Sequence, residues 1–227
     1  MIIAAINGSP RGESASSREV ISLLERLGGA DLQWKCVSRL DRLPEEQIEE
    51  QVAELGGAPV LLIAAPLYID GLPATTVRAL QRYRDALLPL REREHPARPA
   101  RQRVFAVINC GFYEGSQNRH ALEMIEHFCR EAGLDWCGGV GIGTGEMIRG
   151  LRDVPLQAGI RRPVVTALQA LVEAIVDSDG RLEENLYTQH RLPWRVYRML
   201  GQMGWRRQAR QNGLRRRELH NRPHAVA

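Results

Sequence analysis

The residues best suited to bind a ligand lie in one short stretch near the start of the chain, Asn7 to Ser17, called the phosphate loop below. It holds four serines and two glycines directly before a predicted helix. Serine hydroxyls, backbone amides and the helix dipole together can seat a phosphate, which Arg11 would complete. A serine-rich helix cap is the alternative, although four hydroxyls exceed what a cap requires. Neither Gly-x-x-x-x-Gly-Lys-Ser/Thr nor Gly-x-Gly-x-x-Gly is present, so we predict a monophosphate.

Two later stretches combine aromatic side chains with turn residues. The first runs from Pro66 to Pro73 and contains Tyr68, and the second runs from Asn109 to Glu114 and contains Phe112. Each follows a predicted strand, so the two loops can close on a flat ring while their backbone groups bond its polar edge. A flat ring joined to one phosphate describes FMN, which we therefore predict as the ligand.

The elements that would position these loops alternate along the chain. Apolar runs predict five strands, and helical spacing between them predicts five helices. Such apolar strands are covered on both faces and pair in parallel, so we predict an α/β fold with a doubly wound, five-stranded parallel sheet. Ligands bind beyond the carboxyl ends of such strands, where the loops after strands one, three and four meet. The strands are Met1 to Ile6, Leu32 to Val37, Val60 to Ala65, Val104 to Asn109 and Trp136 to Ile142.

Three motifs together resemble a known family. They are Gly8-Ser9-Pro10-Arg11 with Ser16-Ser17, Pro66-Leu67-Tyr68 with Gly71-Leu72-Pro73, and Asn109-Cys110-Gly111-Phe112. Over about Met1 to Val176, the sequence resembles the NAD(P)H-dependent FMN reductases of the flavodoxin-like superfamily. The resemblance implies a flavodoxin-like fold and an oxidoreductase that uses FMN as cofactor and NAD(P)H as co-substrate.

The resemblance also implies a mechanism and a set of site residues. Hydride passes from the nicotinamide to the flavin and then to a small acceptor such as a quinone, a nitroaromatic, free flavin or oxygen. No catalytic acid or base is implied, because the cofactor performs the redox chemistry. The implied phosphate ligands are Ser9, Arg11, Ser16 and Ser17; Pro66, Leu67, Tyr68 and Ile69 would line the isoalloxazine, and Asn109, Cys110, Gly111 and Phe112 would form its other border.

Other candidate sites are interpreted as structural. The four cysteines form no Cys-x-x-Cys pair, so we expect reduced thiols and neither a disulfide framework nor an iron–sulfur or other metal centre. Cys110 is interpreted as a packing residue. His120, Glu123 and His127 could share one helix face as metal ligands do, but we favour a solvated face. The glycine-rich run over residues 138–145 is interpreted as close backbone packing.

The end of the chain differs in charge from the rest. From Arg191 onward, ten arginines accompany one acid, Glu218, so this tail carries +9 and the preceding part −5. We predict two domains: a flavodoxin-like domain over residues 1–180 and a basic arm over residues 181–227, with a helix and aromatic residues. The resembling family often forms dimers, so we expect a homodimer in which the arm packs on the neighbouring subunit. Contact of the arm with nucleic acid or a membrane is the alternative, since its spacing is that of a basic amphipathic helix.

Composition and apolar runs bear on whether the chain is disordered, crosses a membrane or is exported. With 44% hydrophobic and 26% charged residues, the chain is not mainly disordered. No apolar run reaches the roughly 18 to 20 residues that cross a bilayer. The N-terminus lacks the basic region of a signal peptide, so we expect a cytoplasmic protein. A flavodoxin-type electron carrier is the alternative function, although such carriers are compact and acidic.

Overall fold

The computed structural model describes residues 1–94 and 101–221. The described residues fall into two compact units that divide between Arg191 and Leu192. Within the described residues lie six strands and seven α-helices. The strands are β1 (Ile2–Asn7), β2 (Gln33–Ser38), β3 (Val60–Pro66), β4 (Arg103–Asn109), β5 (Asp135–Ile142) and β6 (Leu186–Thr188). The helices are α1 (Ser16–Gly28), α2 (Glu45–Gly56), α3 (Ala74–Glu94), α4 (Arg119–Glu131), α5 (Glu146–Gly150), α6 (Arg162–Val176) and α7 (Trp194–Gln211).

The six strands form one sheet in the order β2-β1-β3-β4-β5-β6, and every neighbouring pair is parallel. The first five strands follow the flavodoxin-like order, in which the chain reverses direction across the sheet between β1 and β3. All five predicted strands are present. The predicted parallel α/β fold is therefore confirmed.

The predicted number of strands was wrong, because β6 extends the sheet beyond β5. In this pairing Leu186 of β6 lies opposite Val140 of β5, and Thr188 lies opposite Ile142. Three residues are too short to show an alternating pattern, and the middle one, Tyr187, is exposed. This strand lies in the segment that the sequence analysis assigned to the arm, and the sheet-containing unit runs on to Arg191.

Helices cover both faces of the sheet, as its apolar strands require. One core contains side chains of α2, α3 and α4, and the other contains side chains of α1, α5 and α6. Strand β1 shows how the sheet serves both cores, because Ala4 and Ile6 face the first and Ile3 and Ala5 face the second. The sheet is thus a rigid platform, and its carboxyl edge, formed by the carboxyl ends of the strands, carries the loops of interest.

The second unit consists mainly of α7, which matches the helix predicted for the arm. Within α7 itself, Ala209 is the buried residue, and large apolar side chains such as Met203 and Trp205 are exposed. The Arg198 guanidinium lies 5.4 Å from the centre of the Trp194 ring. None of the helices in residues 1–94 and 101–221 combines the length and apolar character that spanning a bilayer requires.

Candidate functional site

Three loops meet at the carboxyl edge, and hydrogen bonds join each to the next. The Gly8 N–H donates to the Ala64 carbonyl at 2.8 Å, which joins the phosphate loop to β3. The Leu67 N–H donates to the Asn109 carbonyl at 2.8 Å, which joins the loops after β3 and β4. Asn109 Nδ2 donates to Ser16 Oγ at 2.8 Å and closes the connection back to α1. The structure therefore brings the three predicted loops together.

Asn7, the last residue of β1, organises the phosphate loop. Its Nδ2 donates to the Gly12 carbonyl at 2.9 Å and to Ser38 Oγ at 3.0 Å. Its Oδ1 accepts from the Ser9 N–H at 3.2 Å and from Ser17 Oγ at 2.8 Å. Ser17 is fully buried. Its proton is therefore used to hold the loop, whereas the sequence analysis had assigned Ser17 to the phosphate.

The start of α1 offers the donors that an anion needs. Ala15 precedes the helix, and its methyl group cannot accept a hydrogen bond from the first amides of α1. Ser9 Oγ accepts from the Arg11 N–H at 3.2 Å, and Ser16 Oγ accepts from Asn109. Within the described residues, each of these two hydroxyls keeps its own proton to donate. Together with the helix dipole, they form a group of donors suited to an anion.

Two ion pairs lie at the phosphate loop. Arg39 donates to the Pro10 carbonyl at 2.8 Å and binds Asp41 with two parallel bonds of 2.9 Å each. The hydrogen bonds from Arg39 hold the pKa of the Asp41 carboxyl below its usual value. Glu13, inside the loop, pairs with Arg18 at 3.2 Å, so its charge is compensated.

Gly8 lets the phosphate loop lie close to α3. A Cβ at Gly8 would lie 2.7 Å from Thr76 Cγ2, which is closer than real Cβ atoms come to another side chain. Thr76 Oγ1 donates to the Gly8 carbonyl at 2.6 Å. The sequence analysis missed Thr76, because a threonine near the start of a helix is typical of an ordinary cap.

The loop after β3 exposes its apolar side chains. Tyr68 and Gly71 exchange backbone hydrogen bonds of 2.9 and 3.3 Å, which close a tight turn. Ile69, inside this turn, has φ +60°, a strained value for a β-branched residue. Ile69 is 81% exposed and Tyr68 is 48% exposed, whereas Leu67 is buried. The turn thus holds two large side chains in water, where a flat ring could cover them.

The loop after β4 pairs an exposed ring with a buried thiol. Phe112 is 47% exposed, and among the described residues no atom outside Gly111 and its two chain neighbours lies within 4 Å of the position that a Cβ at Gly111 would take. Cys110 is buried, and burial raises the pKa of its thiol. Asn118 Nδ2 donates to Cys110 Sγ at 3.4 Å and holds the thiol in place. Burial and the raised pKa favour the predicted packing role of Cys110 over nucleophilic attack.

Asn109 carries an unsatisfied acceptor at the centre of the site. It is 4% exposed, and its Oδ1 has no hydrogen-bond partner among the described residues. An unpaired buried polar atom costs about 1 to 3 kcal/mol, and Trp34 Nε1, Thr75 Oγ1 and Asn118 Oδ1 are unpaired in the same way, so this oxygen does not by itself indicate a ligand. A Cβ at Gly145 would lie 3.0 Å from Asn109 Nδ2, so the glycine-rich run is needed for close packing, as predicted.

A buried pair that the sequence analysis missed supports the same edge. Thr144, which follows β5, has φ +53°, and its N–H donates to the Phe112 carbonyl at 2.6 Å. Its Oγ1 lies 2.9 Å from Nδ1 of His190, a residue that follows β6. Burial, and secondarily the charge of Arg161, lowers the pKa of His190 to about 4. No local pattern could have joined residues 46 positions apart.

Residues 1–94 and 101–221 contain no set of side chains that could form a metal centre. Within that part of the chain, no group of three or more His, Cys, Asp or Glu residues could hold a metal ion. On α4, His120 instead lies 3.0 Å from the carboxylate of Glu123.

Comparison with known proteins identifies the fold but not a family. No family model matches the sequence, and no curated protein has a significant sequence match. Solved structures do match. The Trp repressor binding protein from Bacillus subtilis is 16% identical with a TM-score of 0.51, and the match covers 74% of this chain and 96% of that one.

Two further structures show the same likeness. An NAD(P)H:quinone oxidoreductase from Methanothermobacter marburgensis is 13% identical with a TM-score of 0.52, covering 77% of this chain and 96% of that one. A flavone reductase is 9% identical with a TM-score of 0.50, covering 81% of this chain and 66% of that one. At such identities the likeness concerns the fold alone. The chain therefore has the flavodoxin-like fold that its strand order indicates, and it shares this fold with known oxidoreductases.

Proposed function

We propose that the protein is an FMN-dependent NAD(P)H oxidoreductase that passes hydride from a nicotinamide through the flavin to a small acceptor such as a quinone, a nitroaromatic, free flavin or oxygen. The observation that carries the proposal is the meeting, at the carboxyl edge, of an uncapped helix start with two loops that expose Tyr68 and Phe112. Asn109 links these parts, because its Nδ2 donates to Ser16 Oγ and its carbonyl accepts from the Leu67 N–H. The fold shared with an NAD(P)H:quinone oxidoreductase supports the same function.

The phosphate of FMN would bind at the start of α1. Ser9 Oγ and Ser16 Oγ would donate their protons to it, and the first amides of α1 would supply further donors. Arg11 is exposed at the rim of the loop, where its charge would attract a phosphate. Ser17 would act indirectly by fixing Asn7 Oδ1.

The flavin ring would bind between the loops after β3 and β4. Tyr68, Ile69 and Phe112 would cover its apolar surface, and the open space at Gly111 would admit its edge. Pro66, Leu67 and Cys110 would support these loops from below, since Leu67 and Cys110 are buried.

Bound FMN would supply the hydride acceptance and donation, so the chain needs no acid or base of its own. Its residues would orient the ring, exclude water from one face and leave the other face open. One open face must serve donor and acceptor in turn, which predicts that the nicotinamide leaves before the acceptor binds.

The experiment that tests this function is anaerobic reduction of the FMN-loaded protein by NADH and by NADPH. We expect at least one of them to bleach the visible flavin absorbance, and a quinone added afterwards to restore it. Phe112→Ala should slow the bleaching, whereas Met203→Ala, a change of an exposed apolar residue in α7, should not. If neither nicotinamide bleaches the flavin while a ferredoxin-type partner does, the protein is an electron carrier and the proposal fails.

We further propose that the second unit packs on a second copy of this chain. Residues 192–227 carry +8 and residues 1–191 carry −4, so the arm of one copy is attracted to the acidic unit of another. Exposed large side chains of α7 would be covered in that contact; they are Trp194, Met199, Leu200, Met203 and Trp205. Retention of a monomeric mass together with binding to nucleic acid or anionic vesicles would contradict this proposal.

A further inference from the structure

A polar cavity lies outside the three loops of the candidate flavin site. Its volume is about 310 Å³, and it is bounded by α1, by α5 and by the segment that leads into α6. The polar residues that line it are Glu19, Ser22, Arg26, Arg152 and Arg161. None of them belongs to the phosphate loop or to the loops after β3 and β4.

Arg161 is the unusual residue of this cavity. It is 4% exposed, and no carboxylate pairs with it among the described residues. Its Nη1 donates to the carbonyls of Leu151 at 3.0 Å and Val154 at 2.5 Å. Within the described part of the chain, no hydrogen bond engages its Nε or Nη2. A buried cation without a counter-charge is strongly unfavourable, so a negative partner is expected.

The other charges of the cavity do not compensate Arg161. Arg152 is already engaged with Glu19 at 3.3 Å and lies 3.8 Å from Asp153. Burial and the neighbouring charge of Arg26 both lower the pKa of Arg161. The three arginines and one glutamate that line the cavity leave a net charge of +2. The N-terminus of α6, which follows Arg161 directly, adds to the positive potential.

We infer that this cavity binds a phosphate dianion, either free phosphate or the phosphate of a small monoester. A dianion neutralises the +2 charge, and its oxygens match the fork of donors on a guanidinium. Arg161 and Arg26 are the proposed charged ligands, and the Ser22 hydroxyl is a neutral donor from the same helix face as Arg26. The volume holds a phosphate with a small organic group attached.

The location of the cavity gives the bound anion a structural consequence. Helix α1 begins at Ser16 in the phosphate loop, and Arg26 lies in its last turn. Arg161 holds the segment between α5 and α6 through Leu151 and Val154. An anion bound by both arginines would tie α1 to that segment and stabilise the folded state by linkage.

The test is calorimetric titration of the full chain with inorganic phosphate, with potassium chloride at matched ionic strength as the reference. Every protein in this titration, including the reference and the arginine variants, also carries Ser9→Ala and Ser16→Ala. Weak phosphate binding at the phosphate loop then does not interfere. We expect saturable binding of one phosphate, at least about tenfold weaker in Arg161→Met and in Arg26→Met. Arg26 is exposed, so its variant should fold even if Arg161→Met does not. Arg130→Met, which removes an exposed arginine of α4, should change the affinity less than about twofold.

Phenyl phosphate distinguishes the two sources of the anion. Arginine-dependent binding of phenyl phosphate would indicate a monoester site, and binding of inorganic phosphate alone would indicate a site for the free ion. Three results would overturn the inference: no saturable binding of either probe, unchanged binding in Arg26→Met, or an equal loss in Arg130→Met. None of these results bears on FMN binding, because the flavin site uses other residues.

Discussion

The carboxyl edge and helix α7 differ in the burial of their characteristic side chains. At the edge, Asn7 is 1% exposed and makes four hydrogen bonds within the chain. Along α7, Met203 is 57% exposed and Trp205 is 68% exposed. The polar groups of the edge are already arranged, whereas the apolar groups of α7 remain in water.

This difference indicates the size of the partner that each region needs. The edge lacks only a few bonds, such as acceptors for the Ser9 and Ser16 hydroxyls, so a small ligand would complete it. An 18-residue helix with exposed apolar side chains on it requires a surface, because short isolated helices are marginal in water. The predictions below change one region and follow the effect on the other.

The largest effect is expected from Asn7→Ala. The change leaves the Ser17 hydroxyl and the Ser9 N–H without their acceptor in a buried loop, and it removes one of the two donors to the Gly12 carbonyl. We expect the free energy of unfolding to fall by about 3 kcal/mol or more, as urea denaturation would measure, and FMN binding to be lost. Ser178→Ala, at an exposed position outside α7, is the control, and it should leave both quantities nearly unchanged. Equal losses in the two variants would contradict the central role of Asn7.

A smaller effect is expected from removing the two hydroxyls that keep their protons. Ser9→Ala and Ser16→Ala each delete one hydrogen bond to a charged phosphate, worth about 1.5 to 3 kcal/mol. We expect FMN affinity to fall about 10- to 100-fold for each change, measured by fluorescence titration. Ser178→Ala, at an exposed position far from the phosphate loop in sequence, is the matched control. Unchanged affinity in the double variant would rule out this phosphate site.

Acid should weaken the sheet-containing unit through His190. The pKa of His190 is lowered to about 4 in the folded chain, whereas it is about 6.5 when unfolded, so the unfolded chain binds the proton more readily. Stability contributed by the neutral ring is therefore present above pH 6.5 and is lost as the pH falls towards 4. We expect a loss of about 2 kcal/mol between pH 7 and pH 5 in urea denaturation. His190→Gln should remove this part of the pH dependence, and an unchanged slope would contradict it.

The smallest effect on FMN binding is expected from removing the arm. The cut belongs after Arg191, because a cut after Gly180 would remove β6 from the sheet. All proposed flavin ligands lie between Ser9 and Phe112, so FMN affinity should change less than about threefold. Sedimentation should show that the shortened chain no longer self-associates. A dimer that persists without the arm would refute the proposed role of α7.

The sheet and the position of the site could be predicted because both follow from strong local patterns. In β3, six of seven residues are buried, and its apolar run alone predicts a strand in the middle of a parallel sheet. Once five parallel strands are recognised, the loops after strands one, three and four must lie at one edge.

The remaining features depend on distant partners. Asn7-Gly8 is typical of a turn, and the role of Asn7 becomes visible only when Ser38 of β2 lies beside it. The hydroxyls of Ser16 and Ser17 are adjacent in sequence, yet one bonds Asn109 and the other bonds Asn7. Strand β6 is set by pairing with β5 rather than by its own three residues.

The central claim is that the start of α1 holds the phosphate of a flavin whose ring lies on the loops after β3 and β4. It is tested most directly by titrating the ligand-free chain with FMN and with riboflavin, which differs only in lacking the phosphate. We expect one FMN per chain and at least about 100-fold weaker binding of riboflavin, because several charge-assisted hydrogen bonds are lost together. Equal affinities for the two flavins, or no binding of FMN, would contradict the account.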